Sequence, residues 1–118
     1  MPSLMRIAPE LPVDDVQAAL QEYAEKLGFH VSLTLPSGDY AIVERGDVAL
    51  HLFQGEASQH WPGSVHVFTA GLDELLAELQ SRGARVTQGI VRHPWGNRDF
   101  RVADSYGNTL KFTEPLDE

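Results

Sequence analysis

A tryptophan set between a proline and a glycine, Pro94-Trp95-Gly96, is the first residue here whose type and setting point to chemistry. A large aromatic in a loop at a strand end is more informative than one in a helix stripe. It is placed to meet a ligand or to anchor the loop on its own domain. Trp61, in His60-Trp61-Pro62, lines a mouth or fixes a crossover, and the structural role is the expected one. The familiar alternatives are missing. There is no glycine-rich phosphate loop, no Gly-x-Ser-x-Gly elbow and no basic-aromatic interleaving for nucleic acid. With no cysteine in the chain, disulfides, thiolate metal sites and thiol nucleophiles are excluded as well.

The chain has 118 residues, the size of one domain with one principal site. Hydrophobic residues are 42% and charged residues 22%, a globular composition rather than a disordered or collagen-like one. Nothing approaches the roughly 20 apolar residues of a membrane span, and the N-terminus has no charged-then-apolar signal pattern. The expectation is a cytoplasmic protein with neither membrane nor nucleic acid as partner. The formal charge is −8; residues 1–59 carry three basic and nine acidic side chains, residues 60–118 six and eight. A phosphate-backbone binder needs the opposite sign, whereas a cationic small molecule is favoured electrostatically.

The elements that position these residues come twice. Arg6 to Val13 reads as a strand, and Asp14 as a helix N-cap with Gln17 completing a capping box. Val16, Leu20, Tyr23, Ala24 and Leu27 form one apolar helix stripe, stopped at Gly28. Strands follow at His30–Leu35, Tyr40–Glu44 and Val48–Gln54. The second half repeats the order: a strand at Ser64–Thr69, a helix on Leu72, Leu75, Leu76 and Leu79 ending near Gly83, then strands Arg85–Val91, Arg98–Ala103 and Thr109–Thr113. Gly46-Asp47 and Gly107-Asn108 are matching turns before the last strand of each half. The reading is an α+β single domain over 1–118, with a βαβββ module at about 5–54, a linker at 55–63 and a second module at about 64–114. Each four-stranded sheet takes a helix on one face and leaves the other face to curve around a crevice.

Leu11-Pro-Val-Asp-Asp-Val16, Tyr23 with Leu27-Gly28-Phe29, Gly71-Leu-Asp-Glu-Leu75, Pro94-Trp95-Gly96-Asn97-Arg98-Asp99-Phe100 and Asp104-Ser-Tyr-Gly107-Asn108 resemble the vicinal oxygen chelate superfamily over about the whole chain. That superfamily includes glyoxalase I, extradiol dioxygenases and the fosfomycin and bleomycin resistance proteins. Pro-Trp-Gly before an acidic-Phe pair, then Asp-x-x-Gly-Asn, is similar to the bleomycin resistance subgroup. The resemblance implies metal-ligand slots at Ala8, near His51, at Ser64 and at Lys111. Alanine offers no donor, and a lysine ammonium has no lone pair. With His51 alone suited, the usual metallo-enzyme site is not expected, and no cofactor is. In the frame the resemblance supplies, Ala8 and Glu10 share a face, as do Ala49, His51 and Phe53, and Ser64, His66 and Phe68. A displaced set of Glu10, His51 and His66 is the rival, a metal-dependent lyase, isomerase or dioxygenase.

The resemblance further implies a non-catalytic protein that sequesters a small planar molecule, a cationic one being favoured, with Trp95 stacking on its rings. Asp39 and Tyr40 stand where family members contact ligand, or are ordinary turn residues. His51, Phe53, His66, Phe68 and Lys111 line the cup, with Trp61 at its mouth; Phe100 and Phe112 belong to the core. Asp104 and Asn108 are turn chemistry. By the same analogy the cups are completed across a homodimer, in which members of the family often exchange the N-terminal strand.

Overall fold

The computed structural model describes residues 1–55 and 61–116. Two βαβββ modules follow one another: β1 (Glu10–Val13), α1 (Val16–Leu27), β2 (His30–Thr34), β3 (Tyr40–Arg45) and β4 (Val48–Gln54), then β5 (Ser64–Phe68), α2 (Leu72–Ser81), β6 (Arg85–His93), β7 (Asn97–Ala103) and β8 (Thr109–Pro115). Each module makes one four-stranded mixed sheet, ordered β1-β4-β3-β2 and β5-β8-β7-β6. The first strand of each module runs parallel to the last, and the hairpin strands are antiparallel. This is the α+β duplication expected. Of the linker at 55–63, residues 56–60 lie outside the described residues.

Local chemistry departs from expectation in three places. α1 is capped by Asp15 rather than Asp14: Asp15 is extended at φ −142° and its carboxylate accepts from Ala18 N at 3.2 Å. Because the helix begins at Val16, only the residue just before it can reach the third helical N–H, so the Asp14–Gln17 box does not form. The buried stripe of α1 is Val16, Ala19, Tyr23 and Leu27, with Leu20 packed at its edge. β1 starts at Glu10, not Arg6. His51 N donates to the Pro9 carbonyl, so in the parallel ladder the N–H of residue 9 belongs to the Ala49 carbonyl. Proline has no N–H to give, and pairing stops there. Residues Met1, Leu4, Met5 and Ile7 stand in solvent, each 92% exposed or more.

Gly71, which precedes α2, offers no side-chain cap. Glu114 of β8 supplies one, accepting from Gly71 N at 2.9 Å and Leu72 N at 3.2 Å, and is itself held by Arg98. Arg98 also pairs with Asp73 at 2.7 Å. The Arg98 guanidinium holds both the Asp73 and the Glu114 carboxyls below their ordinary range.

The helix-side faces of both sheets merge into one core, from Leu11, Val13, Tyr23 and Leu52 to Leu72, Phe100, Leu110 and Phe112. Phe100 and Phe112 are core residues, as expected. A buried polar knot ties the modules together. Asp104 accepts from Tyr23 Oη at 2.8 Å, from Asn108 Nδ2 at 2.8 Å and from the backbone of Tyr106 and Asn108. Asn108 Nδ2 also donates to the Pro12 carbonyl, and its Oδ1 accepts from Gly63 N. Burial, and then the charge of Asp104, push the Tyr23 hydroxyl well above its ordinary pKa. Asp104 and Asn108 thus do turn chemistry and also join the halves.

Candidate functional site

Alternation along the strands sends one set of side chains into the core and leaves two open sheet faces pointing away from it. On the first sheet the register sets Glu10 beside His51 and Tyr40 beside Phe53. Tyr40 Oη donates to Glu10 Oε2 at 2.7 Å and lies 2.6 Å from His51 Nδ1. With the single phenolic proton given to Glu10, His51 Nδ1–H is the donor to the tyrosine oxygen. The Tyr40 hydroxyl is raised above its ordinary pKa, first by its bond to Glu10. Phe53 is half-buried on this face. Asp39 is exposed and accepts from Ser37 Oγ, as a turn residue does.

The second sheet presents Ser64, His66 and Phe68 from β5, Lys111 and Thr113 from β8, and Asp99 and Arg101 from β7. His66 stacks on Phe68 at 6.3 Å, and its Nδ1 lies 3.0 Å from Thr113 Oγ1. Phe68 is 69% exposed. Trp95 sits in the turn between β6 and β7, 71% exposed, with its ring stacked 4.4 Å from that of His93 and only 8° from parallel to it. His93 is fixed in turn: its Nε2 is 3.1 Å from Asp99 Oδ2, and Asp99 is buried at 4% exposure. Gln88 Nε2 completes the clamp with a bond to Asp99 Oδ1 at 3.0 Å. Trp95 is therefore an outward-facing plate held by a buried acid through an imidazole, not an anchor sunk in the core. His93, Asp99 and Gln88 were not among the residues singled out from the sequence; the acidic-Phe pair that follows Pro-Trp-Gly was the available signal.

Trp61 is 93% exposed, so it packs on little and does not secure the crossover by burial. The displaced metal set does not assemble. Glu10 and His51 belong to the first sheet and His66 to the second, and no three histidines, aspartates or glutamates among the described residues are grouped to hold an ion. The residues at the family's ligand slots, Ala8, Ser64 and Lys111, do not fit a metal either, since two lack a strong donor and the third brings a positive charge. A cavity of about 500 Å³ lies elsewhere, at the seam between the modules, lined by Phe29, Arg45, Val67, Phe68, Leu75 and Glu78 among others. Of the residues expected at the site it contains only Phe68. Within it Arg45 meets Glu78 at 2.7 Å, and Asp47 and Glu74 add further acidic side chains.

The model of the Glyoxalase/Bleomycin resistance protein/Dioxygenase superfamily matches residues 4–112. The chain belongs to that superfamily. It is similar to a bleomycin resistance protein of Geobacillus stearothermophilus, 23% identical over 96% of this chain and 98% of that one. Among solved structures it is similar to the bleomycin-binding protein of Streptomyces verticillus in complex with copper(II)-bleomycin, at a TM-score of 0.81 and 24% identity over the whole of both chains. A bleomycin resistance determinant encoded on transposon Tn5 superimposes with the same TM-score, 0.81, at 22% identity over 95% of this chain and 98% of that one. At such identities the structural likeness establishes the fold.

Proposed function

We infer that this member of the superfamily binds and sequesters a small planar molecule rather than transforming it. The observation that supports the reading is the Trp95 plate: an aromatic exposed in the turn at the end of the second sheet and held by His93 and Asp99 has a geometry suited to stacking, and its display to water is otherwise a cost. The bleomycin resistance and bleomycin-binding relatives favour capture over turnover. Protection by stoichiometric capture needs no general base and no metal. His51, Tyr40 and Phe53 on the first face, and His66, Phe68, Lys111 and Trp95 on the second, are the proposed lining, with Trp61 at the mouth. The net charge of −8 favours encounter with a ligand that carries a positive group.

The protein is further proposed to be a cytoplasmic homodimer. Among the described residues, no helix is long and apolar enough to cross a membrane. Both open faces point away from the shared core, so a crevice with two walls needs the first face of one copy against the second face of another. The exposed apolar arm Met1–Ala8, and the Val48–Leu50 edge of β4 that β1 leaves unpaired, support an arm exchanged between copies.

A thermal-shift screen with bleomycin-type glycopeptides, planar aromatic antibiotics, glutathione thiohemiacetals and divalent metals tests the reading. A ligand at about 100 times its dissociation constant adds about 2.7 kcal/mol of stability. Stabilisation by a planar compound is expected. Near-stoichiometric metal in protein purified without an affinity tag, lost in a His51→Ala, His66→Ala variant, contradicts the reading.

A further inference from the structure

One row crosses the open face of the second sheet. It runs from His66 of β5 to Lys111 of β8, Arg101 of β7 and Gln88 of β6, each the register partner of the next. Lys111 and Arg101 stand directly opposite, an arrangement in which like charges repel. Neither forms an ion pair with a described residue. The chain has 17 acidic side chains to nine lysines and arginines, so two adjacent cations without an acid are the reverse of what its composition predicts. Among the described residues, Arg101 Nε is also buried with no hydrogen-bond partner. Such a group calls for an acceptor. Asp99, two residues away on the same face, is turned to Gln88 and His93 and does not bond Arg101 Nε.

We propose that Arg101 and Lys111 form the seat for an oxyanion, a carboxylate, phosphate or sulfate, on the planar ligand. The inference rests on the stacking reading and adds the chemical class of the group that must accompany the ring. Arg101 offers a planar fork that matches two oxygens, and Lys111 adds a point charge from the facing strand. The adjoining row holds Phe68, Thr113 and Asp99, with Val91 at its end. It lies two residues along β5, β8 and β7, and three along the irregular β6, about 6.6 Å away. A ring stacked on the Trp95 plate, which rests on His93 and through it on Asp99 of this row, thus projects a ring-borne oxyanion toward the Lys111–Arg101 pair. The acidity of the whole molecule and the sign of this patch are separate matters, since screening confines the patch to its immediate neighbourhood.

The test uses the full chain with 2-naphthoate, its uncharged isostere 2-naphthamide, and inorganic phosphate. 2-Naphthoate is expected to bind at least tenfold more tightly than 2-naphthamide. That ratio should fall to about one in Arg101→Gln and in Lys111→Gln, whereas Trp95→Phe should weaken both compounds alike. Arg101→Lys, which keeps the charge and loses the fork, should retain part of the preference and guards against a misfolded Arg101→Gln. Equal binding of the two naphthyl compounds, or a preference surviving both glutamine variants, overturns the oxyanion seat and leaves the stacking reading in place. If neither compound binds, the stacking reading fails and phosphate decides the seat alone. A melting shift in phosphate that disappears in the Arg101→Gln, Lys111→Gln double variant sustains it, and no difference between the two proteins overturns it. Loss of the dimer in Arg101→Gln without any anion preference would assign the pair to the subunit contact, which also overturns it.

Discussion

Trp95 shows what a single position can reveal from sequence. Its loop setting between Pro94 and Gly96 was legible, whereas its support was not, because Asp99 and His93 read as an ordinary strand acid and strand-end histidine until the β6–β7 register brings them together. With the ring 71% exposed, Trp95→Ala should change stability by no more than about 1 kcal/mol. The same change should weaken a stacked ligand about tenfold to a hundredfold, roughly 1–3 kcal/mol. Melting curves beside ligand titrations check both halves; a Tm that falls as for a deleted core tryptophan, about 3–5 kcal/mol, contradicts the plate. Tyr23 offers a second residue-scale test. Its folded pKa lies above the unfolded value, so its contribution is complete below about pH 10 and is lost as pH rises further. Tyr23→Phe should cost about 1–3 kcal/mol at neutral pH, since Asp104 loses one donor but keeps Asn108 and Tyr106. The variant should also flatten the alkaline fall, as chemical denaturation between pH 8 and 11 would record.

At the scale of elements, periodicity located both helices and all eight strands to within a few residues, because apolar spacing of 3.6 and 2 is a property of the sequence itself. What it missed depends on partners distant in the chain. The cap of α2 comes from Glu114 on β8, and the start of β1 depends on which strand carbonyl Pro9 would face. The end of α1 at Gly28 was legible, but the distant contact packed against it was not. Gly28 is left-handed at φ +73°, and a Cβ there would come within 2.5 Å of Arg45 Nη1, the atom that bonds both Leu27 O and Glu78. Gly28→Ala should therefore cost more than about 1 kcal/mol and loosen the Arg45–Glu78 link between the modules. Urea unfolding would measure the cost. Arg45, with Arg82, also holds the Glu78 carboxyl below its ordinary value. A depressed folded pKa gives a contribution present above the unfolded value of about 4.3 and lost as pH falls below it. Arg45→Met should make the acid limb of a stability profile shallower below that pH.

For the whole molecule, the duplication of a βαβββ unit was the most legible feature, and the separation of the two open faces the least. Sharing a face is a matter of alternation, but which faces meet is a matter of how two sheets pack. For that reason Glu10 and His51 come together through Tyr40 while His66 lies on the other sheet. The packing predicts a dimer by light scattering at micromolar concentration, and a chain lacking residues 1–8 should dissociate more readily, since it loses the exposed apolar arm. A wild-type chain that stays monomeric contradicts that assembly. Capture of a planar molecule on the Trp95 plate without turnover is tested by titrating a Trp61→Phe chain with bleomycin while following the emission of Trp95, then recovering the ligand. Saturable quenching at one ligand per chain is expected, abolished by a further Trp95→Phe change, with the ligand recovered unaltered. Emission from Trp95 that stays constant while the ligand binds, or a ligand recovered in chemically changed form, would contradict it.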